Sequence, residues 1–319
     1  MIQIKIPNLE AICQIHYDAL HPFLQERLKL HNGVLEKFIL SNLKKILIGK
    51  PKELEEVIAQ IESLRIETKS ISDIFNYKKF TNSYSEKKYN AYSLAENLNV
   101  KVCPYCNRQY TFTIHGGKNR QGKTRPQFDH FYSKYKYPYL ALSFFNLIPC
   151  CGICNSSFKN TKEFSLEHYI HPYSEGFEDD VKFRIELKDK SRFKKSEVKK
   201  WYGVNFFNGS LKSFEIKLLI DNPSTSKEKR ANKNIETFHL ENLYNQHKDY
   251  VVEIVQKAEI YSADYISSIF AEFEGKLFNS EKEIYQMILS NYITSEDFDK
   301  RVLSKLTRDI SEELGMGVS

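Results

Sequence analysis

Two cysteine pairs share one spacing, Cys103-Pro104-Tyr105-Cys106 and Cys151-Gly152-Ile153-Cys154. Together they offer four thiolates, the ligand set of a closed tetrahedral zinc site in which the metal is structural and no coordination position stays open for a substrate. The interval between Cys106 and Cys151 is longer than in a compact zinc ribbon, so the metal would pin together the two ends of an inserted element. A thioredoxin-like redox reading needs a single C-x-x-C at a strand-to-helix junction in a βαβ context, and this region shows neither. Cys150 adjoins Cys151 and could replace it as a ligand, but Cys151 keeps the two pairs symmetric. Inside the insert stands Asp129-His130, a carboxylate beside an imidazole able to exchange a proton near neutral pH. An isolated Asp-His pair also fits a surface or capping role. Its place between two cysteine pairs is what favours catalysis.

The charge pattern points the same way. The net charge of +6 over 319 residues is a modest surplus. It is concentrated, however: Lys118, Arg120, Lys123, Arg125, Lys134 and Lys136 face the single acid Asp129 in that stretch. A solvated hairpin tip would look like this, and so would a phosphate-binding rim; flanking the Asp-His pair favours the rim, with Lys123, Arg125, Lys134 and Lys136 as candidate nucleic-acid contacts. The six cysteines do not resemble a secreted disulfide framework, and Cys13 and Cys150 have no evident partners. No apolar run reaches the length of a membrane span, and the opening MIQIKIPNLEAICQ lacks the pattern of a secretory leader. A soluble, cytoplasmic protein with no membrane partner is expected.

The elements that must hold these residues are read from periodicity. From Leu9 to Leu98 apolar residues recur at helical spacing, as in Leu35, Phe38, Ile39, Leu43, Ile46 and Leu47. After the breaker Gly49-Lys50-Pro51 the stripe resumes with Leu54, Val57, Ile58, Ile61 and Leu64. The polar, tyrosine-rich stretch Tyr77 to Ser93 reads as a loop or connector, with contact to nucleic acid through its Tyr and Lys side chains as the alternative. VKFRIELK and FEIKLLI read as strands, with Asn208-Gly209-Ser210 as a turn between them. Helical spacing returns from Ser226, with Leu240, Leu243, Tyr244, His247, Val251, Ile254 and Val255 on one face and Leu303, Leu306 and Ile310 on a later one. The expected fold is α+β: an N-terminal helical region (1–98), a cysteine-bracketed core (99–172), a small β-rich extension (173–225) and a C-terminal helical region (226–319).

The stretch RPQFDHFYSKYKYPYLALSFFNLIPCCGICNSSFK resembles the HNH endonuclease family, through an Asp-His pair ending a strand, an Asn before a second strand, and a C-x-x-C-N-x-x-x-K run opening a helix. The resemblance covers Cys103 to Lys159. It implies a ββα-metal finger with structural zinc held by Cys103, Cys106, Cys151 and Cys154, and one catalytic Mg²⁺ or Mn²⁺. Position by position it puts the general base on His130, the first metal ligand on Asp129, the central asparagine on Asn146 and the last metal ligand on Asn155. Hard cations prefer oxygen donors, and a neutral imidazole accepts a proton from water, so these roles suit the residue types. Asn155 would equally suit a helix cap. Lys159 and Lys134 would serve a metal-bound phosphate or lie in solvent. His168 and His171 are expected to pack nearby, since the site is complete without them.

A looser resemblance, carried by DHFYSKYKYPYLALSFFNLIPCC and HPYSEGFED, is to the HNH subunits of Septu-type bacterial anti-phage systems, which also accompany some retrons. It implies a partner ATPase of the ABC or SMC-like kind. The chain has no G-x-x-x-x-G-K-[ST] run, so nucleotide dependence would come from that partner. Two functions stay open: a metal-dependent endonuclease acting on DNA, with RNA such as tRNA as the variant substrate, and a zinc-stabilised binding or scaffold protein that does not cut.

Overall fold

The computed structural model describes residues 1–82, 89–116, 122–188, 214–220 and 225–316. Its N-terminal apolar stripes fold into helices α1 (Leu9–Lys29), α2 (Val34–Ser41), α3 (Leu43–Ile48), α4 (Pro51–Ser63), α5 (Tyr77–Asn82) and α6 (Ala91–Leu98). In α1, Leu20, Leu24 and Leu28 are buried at one-turn intervals. Pro51 opens α4, where its missing N–H would have had no helical partner. The Lys50 N–H is taken by Glu53 Oε2 at 2.7 Å, and Leu54, Val57, Ile58 and Ile61 form the buried face. The connector expected from Tyr77 onward is in part helix: α5 occupies its first six residues, and Asn90 caps α6 by accepting from Tyr92 N at 2.8 Å.

The chain forms two compact units. One comprises Gln3–Tyr105 and Gln109–Gly176; the other comprises Phe177–Ser319 with Met1–Ile2 and Cys106–Arg108. In the first, strand β1 (Gln127–His130) pairs antiparallel with β2 (Leu147–Cys150), placing Asp129 opposite Ile148 and His130 opposite Leu147. A short π-helix, α7 (Ile153–Lys159), follows. Gln127 to Lys159 is therefore a strand–strand–helix unit with the Asp-His pair at the end of its first strand.

The second unit holds β3 (Val181–Leu187) and β4 (Phe214–Ile220), paired antiparallel with Val181, Phe183, Ile185, Phe214, Ile216 and Leu218 buried. Both strands were expected; the Asn208–Ser210 turn lies outside the described residues. Helices α8 (Ser226–Thr237), α9 (Leu240–Tyr244), α10 (Lys248–Ile260), α11 (Ala263–Phe273), α12 (Glu281–Leu289) and α13 (Ser304–Glu313) complete the unit. A two-stranded sheet exposes N–H groups on both edges, and helices supply side-chain acceptors for them. On the β4 edge Asn245 Oδ1 accepts from Ile216 N and Glu241 Oε1 from Leu218 N, at 3.0 and 3.1 Å. On the β3 edge Asp309 Oδ2 accepts from Phe183 N and Glu313 Oε2 from Ile185 N, at 2.9 and 3.0 Å.

That duty explains why α13 buries charge beside the expected Leu306 and Ile310. The fully buried Asp309 also accepts from Lys305 Nζ at 2.9 Å and from Arg308 Nε at 2.7 Å. Leu303 precedes α13 in the left-handed region (φ 62°), and Asn107 caps the helix by accepting from Ser304 Oγ and Lys305 N through its Oδ1, both at 3.2 Å. The fold is α+β, mainly helical with two small antiparallel sheets among the described residues. No described helix is long and apolar enough to cross a membrane.

Candidate zinc centre and active-site cleft

Both knuckles are backbone turns that aim two thiols at one point. In the first, Cys103 N donates to Gln109 O and Thr111 N to Lys101 O, while Asn107 takes a left-handed conformation (φ 50°) just after Cys106. In the second, Cys154 N points at Cys151 Sγ at 3.4 Å. The Sγ atoms of Cys103, Cys106, Cys151 and Cys154 lie within 4.8 Å of one another, and all four residues are buried. Thiolates about 2.3 Å from a tetrahedral ion sit about 3.8 Å apart, so the four close on zinc with little movement. Cys150 is buried but is not one of the four.

Beside this centre, β1 ends in a polar cleft of about 470 Å³ lined by Asp129, His130, Asn155, Lys159, Arg125, Lys134 and Tyr77 among others. Asp129 is almost wholly buried there. Its Oδ1 accepts from Lys159 Nζ at 2.9 Å and its Oδ2 from Tyr105 Oη at 2.6 Å. Burial first, and then the Asp129 carboxylate, hold the Tyr105 phenol far above its ordinary pKa, so it stays protonated and donates to Asp129. Lys159 Nζ also donates to His130 O at 2.6 Å. The side chains of Asp129 and Lys159 are each 3 % exposed, and removing one partner from so buried a pair costs about 3–5 kcal/mol.

The surroundings of His130 fix its tautomer and its charge. Its Nε2 lies 3.0 Å from Ala141 O, and because a carbonyl only accepts, Nε2 carries the hydrogen and Nδ1 keeps a lone pair. The Tyr77 ring meets the imidazole edge-on at 4.4 Å between centroids. Burial, reinforced by Lys134, lowers the His130 pKa to about 3, so the ring is neutral at physiological pH. Asn146, fully buried, clamps the loop behind it: its Oδ1 accepts from Tyr132 N at 2.7 Å and its Nδ2 donates to Leu140 O at 2.9 Å and Tyr132 O at 3.1 Å.

Asn155 and Ser156 both donate to Gln127 Oε1, at 2.8 and 2.9 Å. A side chain at Gly152 would meet this glutamine, since a Cβ there would lie 3.2 Å from Gln127 Nε2. Asp129 and Asn155 thus carry oxygen donors suited to a hard divalent cation. As they stand they do not form an open cation site: both Asp129 oxygens are engaged, and the Asn155 amide is turned to Gln127.

Of the basic residues expected on the rim, Arg125 and Lys134 line the cleft, the Lys134 ammonium lying 4.7 Å over the Tyr77 ring. Lys123 lines a second depression, together with Tyr92 and Arg125. Lys136 does not line the cleft and pairs with Glu163 at 3.2 Å. Lys118 and Arg120 lie outside the described residues. His171 packs against Phe131 at 4.3 Å between centroids, its pKa lowered to about 3 by burial, whereas His168 is exposed.

No family model, curated protein or solved structure matches this chain.

Two residues had no role expected from the sequence: Gln127, which lines the cleft, and Tyr105, which donates to Asp129. Tyr105 had a signal, its place inside the first C-x-x-C turn, from which its hydroxyl reaches Asp129.

Proposed function

We propose that the protein is an HNH-type endonuclease that hydrolyses phosphodiester bonds in nucleic acid, with DNA as the substrate. The observation that carries this reading is the neutral His130, its Nε2–H on Ala141 O, at the end of a strand that opens into a polar cleft bordered by Arg125 and Lys134. In this reading Nδ1 of His130 takes the proton from the attacking water, Arg125 and Lys134 draw the phosphate in, and Asn146 keeps the His130 loop in place. The resemblance calls for Mg²⁺ or Mn²⁺ on Asp129 and Asn155 and for structural zinc on the four cysteines. The test is incubation of the purified protein with plasmid, single-stranded DNA and total RNA in Mg²⁺ or Mn²⁺. Cleavage of DNA supports the reading, cleavage of RNA alone moves it to the RNA variant, and no cleavage with or without an ATPase partner overturns it.

Service in anti-phage defence beside an ABC or SMC-like ATPase is proposed on the sequence resemblance to Septu-type and retron-associated HNH subunits. A second reading, a zinc-stabilised nucleic-acid-binding or scaffold protein that does not cut, is favoured by one observation: Lys159 and Tyr105 satisfy both oxygens of Asp129.

A further inference from the structure

We propose that the Lys159 ammonium is the resident cation of the Asp129 carboxylate, and that a divalent ion gains this carboxylate only by displacing it. The inference rests on the nuclease reading of the same cleft and explains why the expected cation ligands do not form an open site. The ammonium donates to Asp129 Oδ1 at 2.9 Å and to His130 O at 2.6 Å, and Tyr105 holds Oδ2 at 2.6 Å. Together these contacts leave the buried acid balanced in charge, with a donor on each oxygen. An ion such as Mg²⁺ coordinates oxygen at about 2.0–2.1 Å and would face a like charge across the same carboxylate oxygen. In a buried setting that repulsion is weakly screened. Lys159 is also one of the residues lining the cleft, so the displaced ammonium has polar space to enter. Its departure frees the His130 carbonyl, which links ion loading to the backbone that carries the base. Lys159 is therefore a positioning residue that gates the cation.

Two measurements test this, and neither uses nucleic acid. Mn²⁺ is titrated into the zinc-loaded full chain and free Mn²⁺ is read by electron paramagnetic resonance. Lys159→Met should bind Mn²⁺ at least about tenfold more tightly than the parent, the equivalent of about 1.4 kcal/mol, and Asp129→Asn added to it should remove that gain. Zinc content and circular dichroism report whether the variants fold. The second measurement needs no Lys159 variant: acetic anhydride labels the parent, and mass spectrometry reads the acetylation rate of Lys159. Millimolar Mn²⁺ should raise that rate at least about threefold in the parent, as a lysine released from a buried pair reaches solvent, gives up a proton to it and reacts as the amine, and should not raise it in Asp129→Asn. A folded Lys159→Met that binds Mn²⁺ no more tightly than the parent, or Lys159 labelling in the parent that ignores Mn²⁺, overturns the proposal. A protein that passes both measurements but never cuts nucleic acid would refute the nuclease reading and leave the exchange standing.

Discussion

Glu313 should make the second unit lose stability as pH rises. Its carboxyl accepts the Ile185 N–H on the β3 edge at 3.0 Å, and burial raises its pKa from 4.5 to about 7, a rise that Asp309 supports and that Arg184 and the Ile185 hydrogen bond oppose. A carboxyl with a raised folded pKa is bound to its proton more tightly in the folded than in the unfolded chain. Its contribution is therefore complete below pH 4.5 and is lost as pH rises through 7. The full loss is about 3 kcal/mol, of which about 2 kcal/mol falls between pH 5.5 and 8.5. Glu313→Gln keeps an acceptor for Ile185 N but cannot ionise. Urea unfolding of parent and variant, followed by circular dichroism across that range, should show the variant gaining about 2 kcal/mol on the parent as pH rises. Comparing the two proteins cancels the titration of all other groups. A difference that stays flat, or falls with pH, would refute the reasoning.

Other expectations concern the metal centre, the cleft and the buried histidines. Cys151→Ser should lower zinc content and unfold the finger locally, whereas Cys150→Ser should keep its zinc, as measured by elemental analysis; the reverse result would shift the ligand by one residue. Tyr105→Phe leaves Asp129 Oδ2 without its donor and should cost about 1.5–3 kcal/mol in chemical unfolding; no measurable loss would refute that bond. Neutralising Arg125 and Lys134 together should flatten the salt dependence of nucleic-acid binding, with an unchanged slope assigning those cations to solvent. His16 is held neutral between Tyr89 Oη and Leu142 O, burial lowering its pKa to about 4. Because its folded pKa is depressed below 6.5, stability should fall as pH drops from 6.5 towards 4, and His16→Gln should weaken that fall in acid unfolding curves.

What could be read in advance followed from local rules. The C-x-x-C turns were legible because metal geometry dictates their spacing, and the four thiols converge with Cys151 among them and Cys150 outside. The strand ending in Asp129-His130, the asparagine before β2 and the helix after the second knuckle were expected on the resemblance to the HNH family, whose motif is confined to this short stretch. Side chains whose partners lie far along the chain could not. The residues of α5 are polar and fit a connector, yet Tyr77 lines the cleft, packs against His130 and donates to Phe128 O at 3.3 Å. Lys136 has the same type and neighbourhood as Lys134, and only the fold shows it paired with Glu163. Nothing local marks the acids of α13 as buried; their burial follows from the N–H groups that β3 presents to Asp309 and Glu313. Lys159 was expected either to serve a phosphate or to lie in solvent, and nothing local in the sequence shows that its ammonium holds Asp129.

The central claim, that His130 is the base of a nuclease, meets its most direct test in His130→Ala. Zinc content, circular dichroism and nucleic-acid binding are measured beside the rate at which supercoiled plasmid is cut in Mg²⁺ or Mn²⁺. The account predicts that the first three persist while cleavage falls by about 10²-fold or more. A variant that cuts as fast as the parent would contradict it.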